Sequence, residues 1–439
     1  MPSATTGAPP QPVQAARRRS ASFVLDASIL ATFLAASSAP TPLYPLYQDQ
    51  WRLSAATVTV VFSAYSLALL TALLTTGALS DHLGRRPVLA GALLLAVASM
   101  VLLATAEDSG SLIAARILQG AATGTATSAA GAALLDLQDP LRPGRSTLTN
   151  SIAPIAGMAA GVLVSTLLVR FAPAPTATIY LLMALLFASQ AIAIAFTIET
   201  AGRRPGAWHS LRPHLALPGS ARRALLLVGP GVVSVWALGG FYSSLGPSLV
   251  HLVDPHAPRA AGGTVFFTVT AAAALVVWTL RHTDPLVTAT VGCLAVIPAA
   301  ALTLSSLQGA GLTALFAGAA LAGLAFGAVS QGALGMTLAS LEDRYRASTL
   351  GAYYVLSYLS MSLPAIAAGV ATQHFGLRTA THAYAVAVAV LALAATTTLI
   401  TRGAHHAAER STPPDERHEG DSPCRHRRPP SNPPGPSAT

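Results

Sequence analysis

The chain has 439 residues, of which 52% are hydrophobic and only 10% are charged, and its formal net charge is +9. Soluble domains are about a quarter charged, so this composition excludes an ordinary soluble enzyme. The positive charge lies in loops and tails, which favours an orienting role in a lipid bilayer over binding of nucleic acid.

Long apolar runs fill most of the chain. A helix that crosses a bilayer needs about 20 predominantly apolar residues. Twelve such runs lie at about 23–45, 55–79, 88–105, 111–135, 147–169, 176–198, 223–249, 260–281, 285–305, 311–339, 347–371 and 379–401. Barrel strands would be shorter and would alternate, so the runs predict an all-α polytopic membrane protein. We interpret the first run as an uncleaved helix, not a signal peptide, because it contains Asp26 and eleven further spans follow it.

Arginine is unevenly distributed between the two sets of loops. If the N-terminus is cytoplasmic, sixteen arginines near the spans face the cytoplasm. Four face outside, namely Arg52, Arg170, Arg259 and Arg378. The positive-inside rule therefore predicts a multi-pass protein with both termini in the cytoplasm. We expect its location to be a bacterial cell membrane.

The longest internal loop divides the chain into six spans and six spans. It is rich in Pro, Gly and Arg and is typical of a linker. We predict a cytoplasmic disordered tail over 1–22, a six-helix bundle over 23–199, a linker over 200–222, a second six-helix bundle over 223–402 and a disordered tail over 403–439.

A cluster of charge stands between the second and third spans. The stretch "GALSDHLGRR" places Gly77, Asp81, Gly84, Arg85 and Arg86 in the pattern G-x-x-x-D-x-x-G-R-R. The first glycine permits a close approach of helices, and the second permits a turn with positive φ. The carboxylate is alone at a membrane edge and needs a partner. The alternative is a plain turn whose arginines only set topology.

This loop resembles the signature loop of the major facilitator superfamily. The resemblance implies a twelve-helix fold in two six-helix bundles and a secondary active transporter. It also implies that Asp81 faces the start of the eleventh helix, near Ser348, as a conformational latch. Asp136, at the cytoplasmic end of the fourth span, is a partner for the two arginines of the loop. His82 departs from the family pattern, which has a permanent cation there.

A second motif lies in the fourth span. In "RILQGAATG", Arg116 and Gln119 are three residues apart and share a helix face. Gly120 and Gly124 form a pair of small residues suited to close packing. The stretch resembles the family's R-x-x-Q-G motif, which is associated with antiporters, and a charge within a span is a functional candidate. The alternative is that the arginine extends to the membrane interface.

A third motif, in the fifth span, is incomplete. The stretch "TNSIAPIAGM" keeps Pro154 and Gly157 of the family's exporter pattern but has other residues at three glycine positions. This leaves the direction of transport open. Gly157 and Gly161 still form a close-packing pair.

Polar and aromatic residues within the spans predict a largely apolar substrate cavity between the bundles. The candidates are Ser37, Trp236, Tyr242, Gln331, Tyr354 and Tyr358. For each aromatic residue the alternative is packing or interfacial anchoring. Asp26 is the candidate carboxylate for proton coupling, and its alternative is a plain helix-start residue.

Taken together, these features predict a transporter and not an enzyme. There is no phosphate-binding loop, no metal site and no expected cofactor other than a proton gradient. We expect a monomer that moves a small, amphipathic drug or metabolite outward against protons. The alternatives are uptake of a small metabolite and a non-transporting membrane sensor or scaffold.

Overall fold

The computed structural model describes residues 12–139, 141–142, 144–211, 218–338 and 343–411. Within these ranges all regular secondary structure is helical. The helices are α1 (Pro12–Ser38), α2 (Tyr44–Trp51), α3 (Ala55–Thr76), α4 (Leu79–Leu83), α5 (Arg85–Ala104), α6 (Ser109–Asp136), α7 (Arg145–Phe171), α8 (Pro175–Ala193), α9 (Ala207–Ser210), α10 (Gly219–Ser244), α11 (Gly246–Val253), α12 (Ala261–Thr279), α13 (Pro285–Ser305), α14 (Gly311–Leu338) and α15 (Asp343–Ser411).

In the described part of the chain, nine helical segments are long and apolar enough to cross a membrane. Two of them, Pro285–Leu338 and Ser348–Arg402, have 54 and 55 residues, more than twice the length that a bilayer needs. Glycines with positive φ interrupt both, at Gly309 and Gly311 in the first and at Gly376 in the second. Each therefore supplies two spans, and with the 28-residue α6 the architecture is consistent with twelve spans.

The predicted tails and linker contain more helix than expected. Residues 12–22 belong to α1, and α15 continues through 403–411. Alanine, which is frequent in both stretches, is the best helix former. In the predicted linker, α9 and the first residues of α10 are helical. The remainder of both tails, 1–11 and 412–439, and residues 212–217 lie outside the described residues.

Prolines break the first span where the sequence places them. The helix α1 ends at Ser38, a 3-10 turn covers Thr41–Leu43, and α2 starts at Tyr44. Proline fixes φ and lacks a donor, so it is tolerated at the first positions of the new turns and not within a continuous helix. The break exposes the last carbonyl groups of α1 to side chains of neighbouring helices.

The helix α6 has a well-defined start. The Asp108 carboxylate accepts a hydrogen bond from the Ser111 backbone N–H at 2.7 Å, and the Ser111 hydroxyl accepts one from the Asp108 backbone N–H at 3.3 Å. This reciprocal arrangement is a capping box. The hydrogen bonds from Ser111 hold the pKa of the Asp108 carboxyl below its usual value.

The helices divide between two hydrophobic cores. The first is built from helices α1–α8 and the second mainly from α10–α15. We call these groups of helices the N-terminal half and the C-terminal half. Ala365 of α15 lies in the first core and Val162 of α7 in the second. The halves therefore meet through α15 and α7.

Glycines let helices of the N-terminal half approach one another closely. A Cβ at Gly120 or Gly124 would overlap a backbone oxygen of α3, and one at Gly157 or Gly161 would overlap a backbone oxygen of α1. Both pairs therefore lie where two helix backbones approach closely. The helix containing Pro154 is α7, which continues through this residue.

The halves touch toward one end of the helices. We call the end that carries residues 77–86 the motif face and the other end, which carries residues 52–54, the opposite face. In the described part of the chain, three side-chain hydrogen bonds join the halves, and all involve residues at mid-helix or nearer the opposite face. Ser66 and Ser362 hydroxyls lie 2.5 Å apart, the Ser63 hydroxyl donates to the Ser362 carbonyl at 3.2 Å, and Ser248 donates to Gln48 at 3.2 Å.

Candidate functional site

The motif face carries a network centred on Arg85. Its guanidinium forms ion pairs with Asp81 on the preceding turn and with Asp136 at the end of α6, the latter at 3.2 Å. It also donates to the Ser80 hydroxyl at 2.6 Å. One arginine thus ties the turn to the fourth span, and the pairing predicted between Arg85 and Asp136 is present.

Arg86 does not pair with Asp136, contrary to the sequence analysis. Its side chain donates to the carbonyl groups of Ile194, at 3.2 Å, and Ala195. These carbonyls lie at the end of the sixth span, where a helix leaves acceptors unsatisfied and favours a cation. The second arginine of the motif therefore caps a helix.

Glu199 completes this network and was missed from the sequence. Its carboxylate accepts hydrogen bonds from the backbone N–H groups of Arg85, at 2.8 Å, and Arg86, at 3.1 Å. These donors are unsatisfied at the start of α5, where the helix dipole favours an anion. No motif marks this glutamate, and its isolation in an arginine-rich segment was the only signal.

The two glycines of the motif have separate roles. Gly84 has a φ of 101°, as predicted, and a Cβ there would lie 2.8 Å from a carboxylate oxygen of Glu199. A Cβ at Gly77 would lie 2.5 Å from the Leu73 carbonyl oxygen of its own helix and 3.7 Å from Ser128 of α6. Gly77 therefore avoids a clash with the last turn of α3. A side chain at this position would leave ordinary contact with α6, so the helix approach predicted for Gly77 does not require a glycine.

Asp81 and His82 lie at the surface of the turn. The Asp81 side chain is 50% exposed, and its described ion pair is with Arg85. Its contact with the start of the eleventh helix stays a prediction. A ring nitrogen of His82 lies 3.2 Å from the Ala78 carbonyl, and the His82 carbonyl accepts a hydrogen bond from the Arg204 N–H at 2.8 Å.

Arg116 lies fully buried in the N-terminal half. Its Nη1 donates to the side-chain oxygen of Gln119 at 2.5 Å and to the Ser37 carbonyl at 3.3 Å. The Gln119 amide donates to the Ala36 carbonyl at 2.8 Å. Both side chains therefore satisfy the last carbonyls of α1, where the helix dipole favours a cation. Burial within the protein excludes extension of Arg116 to the membrane interface.

Buried tyrosines lie near Arg116 and were not predicted from the sequence. The centroid of the Tyr65 ring lies 4.3 Å from the guanidinium carbon. Tyr44 is buried at the start of α2, just after the end of α1 that Arg116 contacts. The hydroxyls of Tyr44 and Tyr65 and the Nε and Nη2 atoms of Arg116 have no hydrogen-bond partner within the described residues. The tyrosines come from other spans, so no local pattern connects them to Arg116.

Asp26 is buried in α1 with one carboxylate oxygen unpartnered. The segment after the sixth span packs nearby, because the Ile198 N–H donates to the Ser22 hydroxyl at 3.1 Å, one helical turn from Asp26. Eleven residues of helix, about 16 Å, separate Asp26 from Ser37. Asp26 and Arg116 therefore belong to different parts of the N-terminal half.

Three of the predicted cavity residues come together. The Trp236 ring lies 5.3 Å from that of Tyr358 and 5.2 Å from that of Phe326, and Tyr354 lies 6.2 Å from Tyr358. These separations suit edge-to-face and tilted aromatic packing. The cluster belongs to the C-terminal half and gives it an apolar surface with three polar edges.

The other predicted cavity residues lie elsewhere. Tyr242 is fully buried, and its hydroxyl lies 2.7 Å from that of Thr303, so it is a core residue. Gln331 donates to the Leu280 carbonyl at 3.2 Å and caps the end of α12. The Ser37 hydroxyl donates to the Leu34 carbonyl at 2.7 Å within its own helix. Among the described residues, no group of His, Cys, Asp and Glu could hold a metal ion.

The fold and this site define a multi-pass, helical membrane protein with two packed halves and charged clusters in its N-terminal half. The sequence matches the model of the Major Facilitator Superfamily over residues 27–305, and the chain belongs to this family of transporters. Its helical segments are consistent with the twelve spans expected of this family.

Comparison with known proteins agrees with this assignment. The chain is 32% identical over 152 residues to the multidrug resistance protein MdtL of Citrobacter koseri, a match that spans 32% of this chain and 39% of that relative. The fold is similar to that of a single-residue mutant of the nucleoside transporter NupG, with a TM-score of 0.67 and 15% identity over 87% of this chain and 99% of the other. It is also similar to the human organic anion transporter MFSD10, with a TM-score of 0.65 and 20% identity over 89% of this chain and all of the other.

Proposed function

We propose that this chain is a secondary active transporter that exports small amphipathic drugs or metabolites in exchange for protons. The contact between Ser66 and Ser362 carries the proposal. It joins the halves through small hydroxyl groups near mid-helix, whereas both ion pairs in the described residues stay within the N-terminal half. Such an interface separates without loss of buried charge pairs, which suits the rocking of two bundles.

Efflux and proton coupling are inferred from different observations. The similarity to a multidrug resistance protein favours efflux. The buried, partly unpartnered carboxylate of Asp26 favours a proton site, because an isolated carboxylate within a span is costly unless it is used. Arg116 and Gln119 provide the second polar site of the same half. We assign substrate binding to the cluster around Trp236, Tyr354 and Tyr358 and to the facing side of the N-terminal half.

The arginine distribution supports a cell-membrane location with the motif face in the cytoplasm. In that orientation the halves are closed on the outside, so this is an inward-facing state. The bundles span 23–199 and 223–402 in this proposal, and a monomer is the functional unit. The latch between Asp81 and the eleventh helix forms in the outward-facing state.

A ligand screen followed by flux measurement tests the proposal. Compounds that raise the melting temperature of the purified protein bind its native state. Hits are then added to proteoliposomes that contain a pH-sensitive dye and carry an imposed pH gradient. We expect substrate to move against the proton flow, and we expect Asp26→Asn to uncouple the two, while Asp49→Asn, at an exposed position of α2, does not. Co-movement of substrate and protons indicates uptake, and binding without flux indicates a sensor.

A further inference from the structure

Arg116 presents one edge of its guanidinium to α1 and leaves another edge free. Nη1 is bound to Gln119 and Ser37, whereas Nε and Nη2 have no partner among the described residues. The Nε–Nη2 edge is a planar pair of donors whose spacing matches the two oxygens of a carboxylate. Capping of α1 therefore accounts for the hydrogen bonds of Nη1 but not for the burial of Nε and Nη2.

The other unpartnered groups near Arg116 can also donate hydrogen bonds. Tyr44 and Tyr65 add two unpartnered hydroxyls, each able to donate a hydrogen bond. Their side chains are 2% and 4% exposed, and Arg116 is fully buried. Buried polar groups without partners are costly, and unpartnered donors beside a positive charge are satisfied by an anion.

We propose that Arg116, Tyr44 and Tyr65 form a binding site for the carboxylate of an organic substrate. This inference rests on the proposed transport function and narrows its substrate class to amphipathic molecules with a carboxylate group. The carboxylate binds the Nε–Nη2 edge of Arg116 through two hydrogen bonds and accepts further ones from the tyrosine hydroxyls. The remaining, apolar part of the substrate faces the C-terminal half.

The position of Tyr65 gives this site a route of access. The ring covers the Arg116 guanidinium, and the next residue, Ser66, contacts Ser362 of the C-terminal half. When the halves separate at the opposite face, the contact beside Tyr65 opens and the site becomes reachable. The site therefore opens toward the opposite face when the halves separate there.

Three planar isosteres test the charge preference of the site. Benzoate is an anion, benzamide is neutral and benzamidine is a cation of the same shape. We expect benzoate alone to raise the melting temperature of the full chain in detergent, by an amount that grows with the logarithm of its concentration above its Kd. Stabilisation by benzamidine equal to that by benzoate overturns the proposal, as does the lack of any effect of benzoate. Chloride that stabilises as strongly as benzoate indicates a site for inorganic anions and also overturns it.

Two variants locate the site. Arg116→Gln abolishes the effect of benzoate, whereas Arg170→Gln, which removes an exposed arginine beside Phe171, keeps it. Tyr44→Phe preserves packing and weakens benzoate binding about tenfold, the effect of one charge-assisted hydrogen bond. An unchanged affinity in Tyr44→Phe contradicts the proposal even where Arg116→Gln does not fold. Because these are binding measurements, loss of proton-driven flux with intact benzoate binding refutes only the proposed coupling.

Discussion

The Nη1 atom of Arg116 and the side-chain oxygen of Gln119 lie 2.5 Å apart within α6. Together the two side chains bind the carbonyl groups of Ser37 and Ala36 at the end of α1. A helix end that is interrupted by prolines needs such partners, and a cation is favoured there by the helix dipole. The pair therefore links the broken first span to the fourth span.

Loss of Arg116 should abolish coupled transport. In Arg116→Ala the Gln119 oxygen loses its donor, and a buried acceptor without a partner costs about 1–3 kcal/mol of stability. The positive charge is lost at the same time. Flux in proteoliposomes checks the first effect, and thermal unfolding in detergent checks the second. Arg170→Ala is the matched control, and a wild-type flux in folded Arg116→Ala would show that this arginine is only structural.

Gly120 should be far less tolerant of a methyl group than Gly91. A Cβ at Gly120 overlaps the Tyr65 backbone oxygen, whereas one at Gly91 meets nothing within 4 Å. We expect Gly120→Ala to cost about 1–3 kcal/mol through overpacking. Gly91→Ala should be neutral or stabilising, since both glycines are helical and alanine is the better helix former. The melting temperatures of the two variants test this difference. Equal values would contradict the close packing of α3 on α6.

A disulfide between positions 66 and 362 should lock the closed opposite face. The two hydroxyls lie 2.5 Å apart, so Ser66→Cys and Ser362→Cys bring two sulfurs together. After oxidation, flux should fall to background, and a reducing agent should restore it. Each single variant serves as a control for the substitution itself. Transport at the normal rate by fully cross-linked protein would show that this contact does not need to open.

Asp81→Asn should increase the distance between the two halves at the motif face. If Asp81 stabilises the outward-facing state through the start of the eleventh helix, its neutral form shifts the population toward the inward-facing state. Spin labels at positions 141 and 282, which are exposed in the two halves, report the motif-face distance by double electron–electron resonance. We expect a larger fraction of long distances in Asp81→Asn and no change in Asp49→Asn. Identical distributions for Asp81→Asn and wild type would refute the latch.

Sequence patterns predicted those features of the fold that depend on residues close together in the chain. The span lengths and the positive φ of Gly84 follow from the sequence near each feature. The spacing of three residues was enough to place Arg116 beside Gln119. The helical start of α1 was missed because its arginines were interpreted as part of a tail.

Contacts between distant parts of the chain could not be predicted in this way. Glu199 reaches Arg85 across more than a hundred residues, and no spacing rule connects them. Tyr65 lies over Arg116 only because α3 and α6 pack together through the glycines of α6. Tyr242 was assigned to the cavity from its type alone, but its partner Thr303 places it in the core. A polar residue within a span is a candidate for a functional role. The residues that it contacts in the fold show whether it belongs to a site or to the core.

Distances on the two faces, measured in one protein, test the central claim of alternating access most directly. One label pair lies at 141 and 282 on the motif face and another at 107 and 259 on the opposite face, in a background with Cys293→Ala and Cys424→Ser. As pH or a bound ligand from the screen is varied, the account predicts that one distance lengthens as the other shortens. Distances that change together, or that never change while transport proceeds, would contradict it.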